Sequence, residues 1–159
     1  MIYITADTHF YHEKILAFCN RPYHNVRQMN DALIRNWNRV VGPNDTIYHL
    51  GDFCVDQDYR ARAIMKQLSG YKILVRGNHD RSKSRMLSIG FNEVYNPPIT
   101  RHGAILTHEP MYREGKITMN VGVDVNHFRP IPFPMRNDII LCGHVHDAWR
   151  IRRFHEQGK

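Results

Sequence analysis

Apolar residues in this chain come in two spacings. Short, mostly apolar runs at 2–6, 47–50, 73–75, 104–106 and 139–142 are bounded by glycine or polar residues, the pattern of buried strands. Between the first of these, apolar residues recur at helical spacing. Val26, Met29, Leu33, Trp37 and Val40 predict a helix over 26–41, stopped by Gly42-Pro43. Ala61, Ile64, Met65 and Leu68 predict a second over 57–68, with Asp56 as N-cap and Gly70 as the stop. Shorter helices are expected over 82–89, ended by Gly90, and over 12–19. Further strands are expected at 91–95, 121–125 and 148–151, and Pro130, Pro132 and Pro134 predict an irregular loop over 126–137. The order β, α, β, α, β, α followed by strands alone suggests a layered α/β fold, two packed sheets with helices outside.

Bulk properties narrow the class. A chain of 159 residues is expected to form one domain, 1–159, around a single core. No apolar stretch approaches the roughly 18 residues of a membrane span. The first residues lack the basic and apolar regions of a secretory signal. Three widely spaced cysteines, Cys19, Cys54 and Cys142, argue against a disulfide framework and for a reducing, cytoplasmic setting. The net charge of +7 raises the local concentration of anions, phosphates and nucleic acids among them.

The candidate chemistry lies where the apolar runs stop. The first ends in Asp7-Thr8-His9, the second in Gly51-Asp52, the third in Gly77-Asn78-His79-Asp80, the fourth in His108 and the fifth in Gly143-His144-Val145-His146. In open α/β sheets ligands bind outside the carboxyl ends of strands, so clusters far apart in sequence can converge there. Carboxylates, imidazoles and an amide together form a mixed oxygen and nitrogen site for transition metals. Without metal to balance it, such a buried cluster would be costly. Two metals roughly 3.5–4 Å apart clamp phosphoryl oxygens and bring the pKa of bound water towards ~7.

Asp-x-His, Gly-Asp, Gly-Asn-His-Asp, a lone histidine and Gly-His-x-His, in that order over positions 2–146, resemble the calcineurin-like metallophosphoesterase superfamily. The resemblance implies a four-layer α/β/β/α sandwich of two packed mixed β-sheets flanked by helices. It implies Asp7, His9 and His146 as ligands of a first metal, Asn78, His108 and His144 as ligands of a second, and Asp52 as the bridge. His79 is then the catalytic histidine, acting beside Asp52 and Asn78 on the leaving group or the phosphoryl oxygens. The cofactors are two divalent transition metal ions, manganese favoured, with iron, cobalt, nickel or zinc as alternatives. Thr8-His9-Phe10-Tyr11-His12, Cys19-Asn20-Arg21-Pro22 and Asn120-Val121-Gly122-Val123-Asp124-Val125 are similar to a small bacterial and phage branch of that superfamily. The Asp-Arg-Gly that follows Gly-Asp in its protein phosphatases is missing here, which argues against a phosphoprotein substrate.

The expected activity is hydrolysis of a phosphate ester by metal-activated hydroxide, most simply of a small nucleotide-type diester. A nuclease, a phosphomonoesterase and a non-catalytic scaffold are the alternatives, and retention of Gly77-Asn78-His79 argues against the last. The expected partner is a small anionic phosphoester, with nucleic acid as an alternative and no membrane; oligomeric state stays open. His12 follows His9 by three residues and is a candidate for reaching substrate from the loop. Arg21 and Arg113 are candidate bidentate phosphate forks, although a surface role is commoner for each. Arg76, Asp80 and Asp56 are candidates for orienting His79 or touching substrate. His49, inside the second run, is expected to be a core residue.

Overall fold

Side chains along the strands alternate between two apolar interiors, and this alternation stacks the layers. The computed structural model describes residues 1–111, 117–121, 139–146 and the backbone of 151–153. Strands β1 (Ile2–Thr5), β2 (Thr46–His49), β3 (Tyr71–Val75) and β4 (Glu93–Tyr95) form the first sheet in that order. Every pair in it is parallel. The connections carry α1 (Ile15–Phe18) and α2 (Val26–Val40), then α3 (Asp58–Met65), then α4 (Lys83–Ile89). Such crossovers return the chain to the same end of the sheet each time, so each strand finishes at one edge.

The second sheet contains β5 (Ile99–Arg101), β6 (Ala104–Leu106), β7 (Ile117–Asn120), β8 (Ile139–Cys142) and β9 (Ile151–Arg153), in the order β5-β6-β8-β7-β9. Its three inner strands are parallel and its two outer strands antiparallel to their neighbours. The expectation of two mixed sheets therefore holds for the second alone; the helical crossovers make the first wholly parallel.

One interior lies between the first sheet and the helices. Tyr3, Ile47, Leu74 and Val94 meet Ile15, Met29, Leu33, Trp37, Ala61, Ile64 and Met86 there. The other lies between the sheets, where Ile4, Ala6, Tyr48, Leu50, Ile73 and Val75 meet Ala104, Leu106 and Leu141. The architecture is thus a sandwich of helices, parallel sheet and mixed sheet, as expected. The helical layer anticipated beyond the second sheet falls outside the described residues.

Most elements agree with the apolar pattern, and the departures have local causes. Asn25 caps α2 by accepting the Gln28 amide at 2.9 Å. Asp56 is not the cap of α3. Gln57 holds that position, and the Asp56 carboxylate is taken by the Gln57 amide and by Arg60 at 2.7 Å. The fourth strand starts at Glu93 rather than 91 because Phe91 is drawn into the helix-side core. β5 was not legible in the sequence: three residues, half-buried or exposed, are held by register with β6. β7, at Ile117–Asn120, was not predicted, and residues 122–125 of the strand expected at 121–125 lie outside the described residues. β9 begins at the last residue of the expected 148–151; residues 148–150 lie outside the described residues. The proline-containing loop expected over 126–137 lies outside them too. Among the described residues no helix is long and apolar enough to cross a membrane.

Trp37 locks α2 onto the sheet. It is 1% exposed and its indole N–H donates to the Ser69 carbonyl at 2.9 Å. Trp37→Ala is expected to cost about 3–5 kcal/mol, read as a lowered urea midpoint at unchanged slope; a loss below 1 kcal/mol would contradict this packing.

Candidate metal centre

The five clusters at the strand ends meet, and their backbone is bent to do so. Asp7 (φ 56°), His9 (φ 48°), Asp52 (φ 59°), His144 (φ 69°) and His146 (φ 46°) all lie in the left-handed region. That region costs an ordinary residue roughly 1–2 kcal/mol, so the surrounding contacts must over-determine it. They do. The Asp7, His9 and Phe10 amides donate to the Gly51, Asp52 and Phe53 carbonyls, each at 2.9 Å, carrying the β1–β2 pairing past the strand ends. Asp80 is buried, and its carboxylate accepts the amides of Asp52 (2.9 Å), Phe53 (3.0 Å) and Gly77 (2.8 Å). The loops pass so closely that a Cβ on Gly51 would stand 2.5 Å from the Gly77 nitrogen, and one on Gly77 would stand 2.6 Å from the Asp52 nitrogen. Glycine at both positions is therefore a requirement of the approach.

Within this frame the ligand atoms form two groups, Asp7, His9 and His146 in one, Asp52, His108 and His144 in the other. Asn78 joins the second, its side-chain oxygen 2.9 Å from His108 Nε2, which is also 3.2 Å from His144 Nδ1. Asp52 links the two. Its Oδ1 accepts the His79 amide at 2.9 Å, while Oδ2 lies 3.5 Å from His9 Nε2 and 3.4 Å from His108 Nε2. Around one ion with bonds of about 2.0–2.2 Å, neighbouring donor atoms stand roughly 2.9–3.6 Å apart. The observed separations fit. So does the hydrogen bonding. His108 Nδ1 donates to the Leu50 carbonyl at 2.8 Å, which leaves Nε2 to bind metal. His9 Nδ1 lies 3.1 Å from His12 Nδ1, while its Nε2 is buried with no hydrogen-bond partner. A buried ring nitrogen without a hydrogen-bond partner among the described residues, 3.5 Å from the Asp52 carboxylate, fits the role of a metal ligand.

The electrostatics agree. Burial pushes the Asp7 carboxyl up to about 7. Burial also pulls on His108, but its hydrogen bond to Asp52 and the charges of Asp52 and Asp7 overcome this and raise it to about 9. Burial opposes ionisation of Asp52 as well, yet the hydrogen bond and charge of His108 hold it below the usual carboxylate range. His9 is driven well down by burial and is neutral, the form a ligand needs.

Other expected site residues divide. His79 is 46% exposed at the mouth, its Nε2 4.0 Å from Asp52 Oδ2. His12 is half-buried, between His9 and His79 with ring centroids 5.2 and 6.2 Å away. Arg21 is not a phosphate fork: it is buried under the first loop, donating to the Thr8 carbonyl at 2.9 Å and the Asp7 carbonyl at 2.6 Å. Its role is to hold the ligand loop. Arg76 is not a free fork either, since it donates to the Arg81 and Asp80 carbonyls and to Asn96. Arg113 lies outside the described residues. Asp80 orients no imidazole; it ties Gly51-Asp52 to Gly77. His49 is a core residue, bonded to Thr8 at 2.9 Å and stacked near Trp37. The cysteines are all free, and burial raises the thiols of Cys54 and Cys142 to about 12. Missed in the sequence was Asn120 as a brace: its amide donates to the His146 carbonyl, a contact formed only when β7 lies beside β8.

The family signature of calcineurin-like phosphoesterase superfamily domains matches residues 1–157. The chain belongs to that superfamily. A Methanocaldococcus jannaschii protein, "Uncharacterized protein MJ1445", is 32% identical over 164 residues, 91% of this chain and 93% of its own. A crystal structure titled as the protein of unknown function AQ665 from Aquifex aeolicus is similar at 38% identity and a TM-score of 0.57, over 69% of this chain and 61% of that one. This phosphoesterase domain thus holds two candidate ligand clusters for divalent metals, and neither relative's title names a substrate.

Metal binding must strip protons from this site. Near pH 7 metal-free His108 is protonated and Asp7 about half so, and both must be deprotonated to ligate. Mn²⁺ binding at pH 7 should release one to two protons, with affinity rising about tenfold per pH unit for each proton released. Calorimetry in two buffers of different ionisation enthalpy measures this; zero release would mean His108 is neutral before metal arrives.

Proposed function

We propose that this chain is a two-metal phosphodiesterase acting on a small nucleotide-type diester. The observation that carries the reading is the single oxygen, Asp52 Oδ2, set 3.5 and 3.4 Å from histidines of the two ligand groups. A carboxylate placed in that way would serve as a ligand common to both groups. When bound, divalent ions would polarise phosphoryl oxygens and lower the pKa of a coordinated water towards ~7. The residues do the rest. Asn78 and His79, both exposed, flank the place where a phosphoryl group would lie, and His79 is free to give a proton to the departing oxygen. Manganese is the favoured metal, and the mixed nitrogen and oxygen donor set supports it along with iron, cobalt, nickel or zinc. Three free cysteines support a reducing, cytoplasmic setting.

Charge supports a diester. Two divalent ions against the carboxylates of Asp7 and Asp52 leave two positive charges. A monoanionic diester and its attacking hydroxide neutralise them; a dianionic monoester would leave negative charge in excess. Among the described residues, Arg21 and Arg76 are both committed elsewhere and do not offset that excess. Cleavage of single-stranded nucleic acid is a second reading, favoured by one surface. Phe18, 72% exposed, lies 6.4 Å from the His12 ring, and the Arg60 guanidinium lies 5.3 Å from the Tyr11 ring and 5.8 Å from the Tyr59 ring. Aromatic and cationic groups of this kind stack bases.

Hydrolysis of bis-p-nitrophenyl phosphate and p-nitrophenyl phosphate, measured side by side with Mn²⁺ and with EDTA, tests the reading. Faster, EDTA-sensitive cleavage of the diester is expected, and a monoester preference would overturn the diester assignment. His79→Ala should lower kcat by about 10²–10⁴-fold while metal content by elemental analysis stays at wild-type level; full activity in that variant would remove His79 from the mechanism. A single-stranded oligonucleotide in the same assay decides the second reading.

A further inference from the structure

A cavity of about 370 Å³ opens beside the second ligand group, with Asn78 and His108 forming its inner wall. Its size lies within the range of small-molecule sites, roughly 300–1,000 Å³. The remaining walls are unlike a phosphate pocket. Pro97, Pro98 and Met111 give it an apolar surface, and Glu109, immediately after a metal-ligand position, is an acidic residue of its lining. A carboxylate there repels phosphate and demands hydrogen-bond donors instead. Arg76 also lines the cavity, and its three hydrogen-bond acceptors, two backbone carbonyls and one amide oxygen, are all neutral. Its guanidinium is therefore held in the cavity wall by those three acceptors.

A ligand that fits must combine an anion towards the metal-ligand residues, donors towards Glu109 and an apolar face. We propose that this cavity is the nucleoside subsite of the enzyme. The sugar hydroxyls donate to Glu109, and the base lies against Pro97, Pro98 and Met111. This rests on the diesterase reading and deepens it by naming the substituent on the second-metal side as a ribonucleoside. Glu109 and Met111 are then specificity residues, with no part in bond cleavage.

Binding of products tests the subsite without turnover. Adenosine 5′-monophosphate, its 2′-deoxy analogue and inorganic phosphate are titrated calorimetrically into the Mn²⁺-loaded protein. The ribonucleotide is expected to bind at least tenfold more tightly than phosphate. Glu109→Gln and the 2′-deoxy analogue should each cut that preference at least threefold, and Met111→Ala should cut it independently, so that either variant suffices if the other fails to melt like wild type. A ribonucleotide that binds no better than phosphate, or a preference untouched by both substitutions, overturns the proposal. Nucleotide preference without any cleavage of bis-p-nitrophenyl phosphate would instead sink the diesterase reading and leave the subsite standing.

Discussion

The structure depends on how the two oxygens of Asp52 are divided. One is fixed by the His79 amide; the other faces both groups of ligands. That division requires the Gly51-Asp52 turn to press against the Gly77-Asn78-His79 turn, which only glycine at 51 and 77 allows. Asp80 completes the arrangement by collecting three amides from the same two turns. A buried carboxylate is costly unless its oxygens are well satisfied. Here the donors are backbone groups the turns would otherwise leave unpaired, so each offsets the other's desolvation. The motif Gly-Asn-His-Asp thus supplies a ligand, a candidate acid and the fastening that positions its neighbour.

The left-handed conformations at Asp7, His9, Asp52, His144 and His146 belong to the same arrangement. A strand that simply ended would point its next side chain away from the sheet edge. Reversing φ at the ligand turns successive side chains inward, so that Asp7 and His9, two residues apart, both face the first group. Strain is then concentrated where the ligands are, and the pairing of loop to loop holds it there.

The ligand positions were legible because they follow short apolar runs, and a run's end is readable without knowing which strands are neighbours. The helices between the first sheet's strands were legible too, yet the expectation of a mixed sheet there overlooked that such crossovers make neighbouring strands parallel. β5 was not legible, since its half-exposed residues carry no apolar pattern and owe their conformation to β6. Arg21 misled for a different reason. In sequence it is a cation near a metal motif, whereas in the fold its guanidinium takes up carbonyls of Asp7 and Thr8, a contact set by how α1 turns back under the loop. Asp56 was misplaced because a cap depends on one backbone angle, and Gln57 takes that conformation instead. Glu109 and the prolines across the cavity carry no periodicity, and only the folded chain brings them together.

Each ligand group draws on both sheets. Asp7 and His9 follow β1 while His146 follows β8; Asp52 and Asn78 follow β2 and β3 while His108 and His144 follow β6 and β8. Bound ions would therefore act as rivets through the two halves of the sandwich, and the apolar seam of Ile4, Leu50, Val75 and Leu106 becomes part of the instrument that sets their spacing. Selection acting on catalysis alone would then also police side chains deep between the sheets, where a small slip of one layer over the other would pull the two ions out of step.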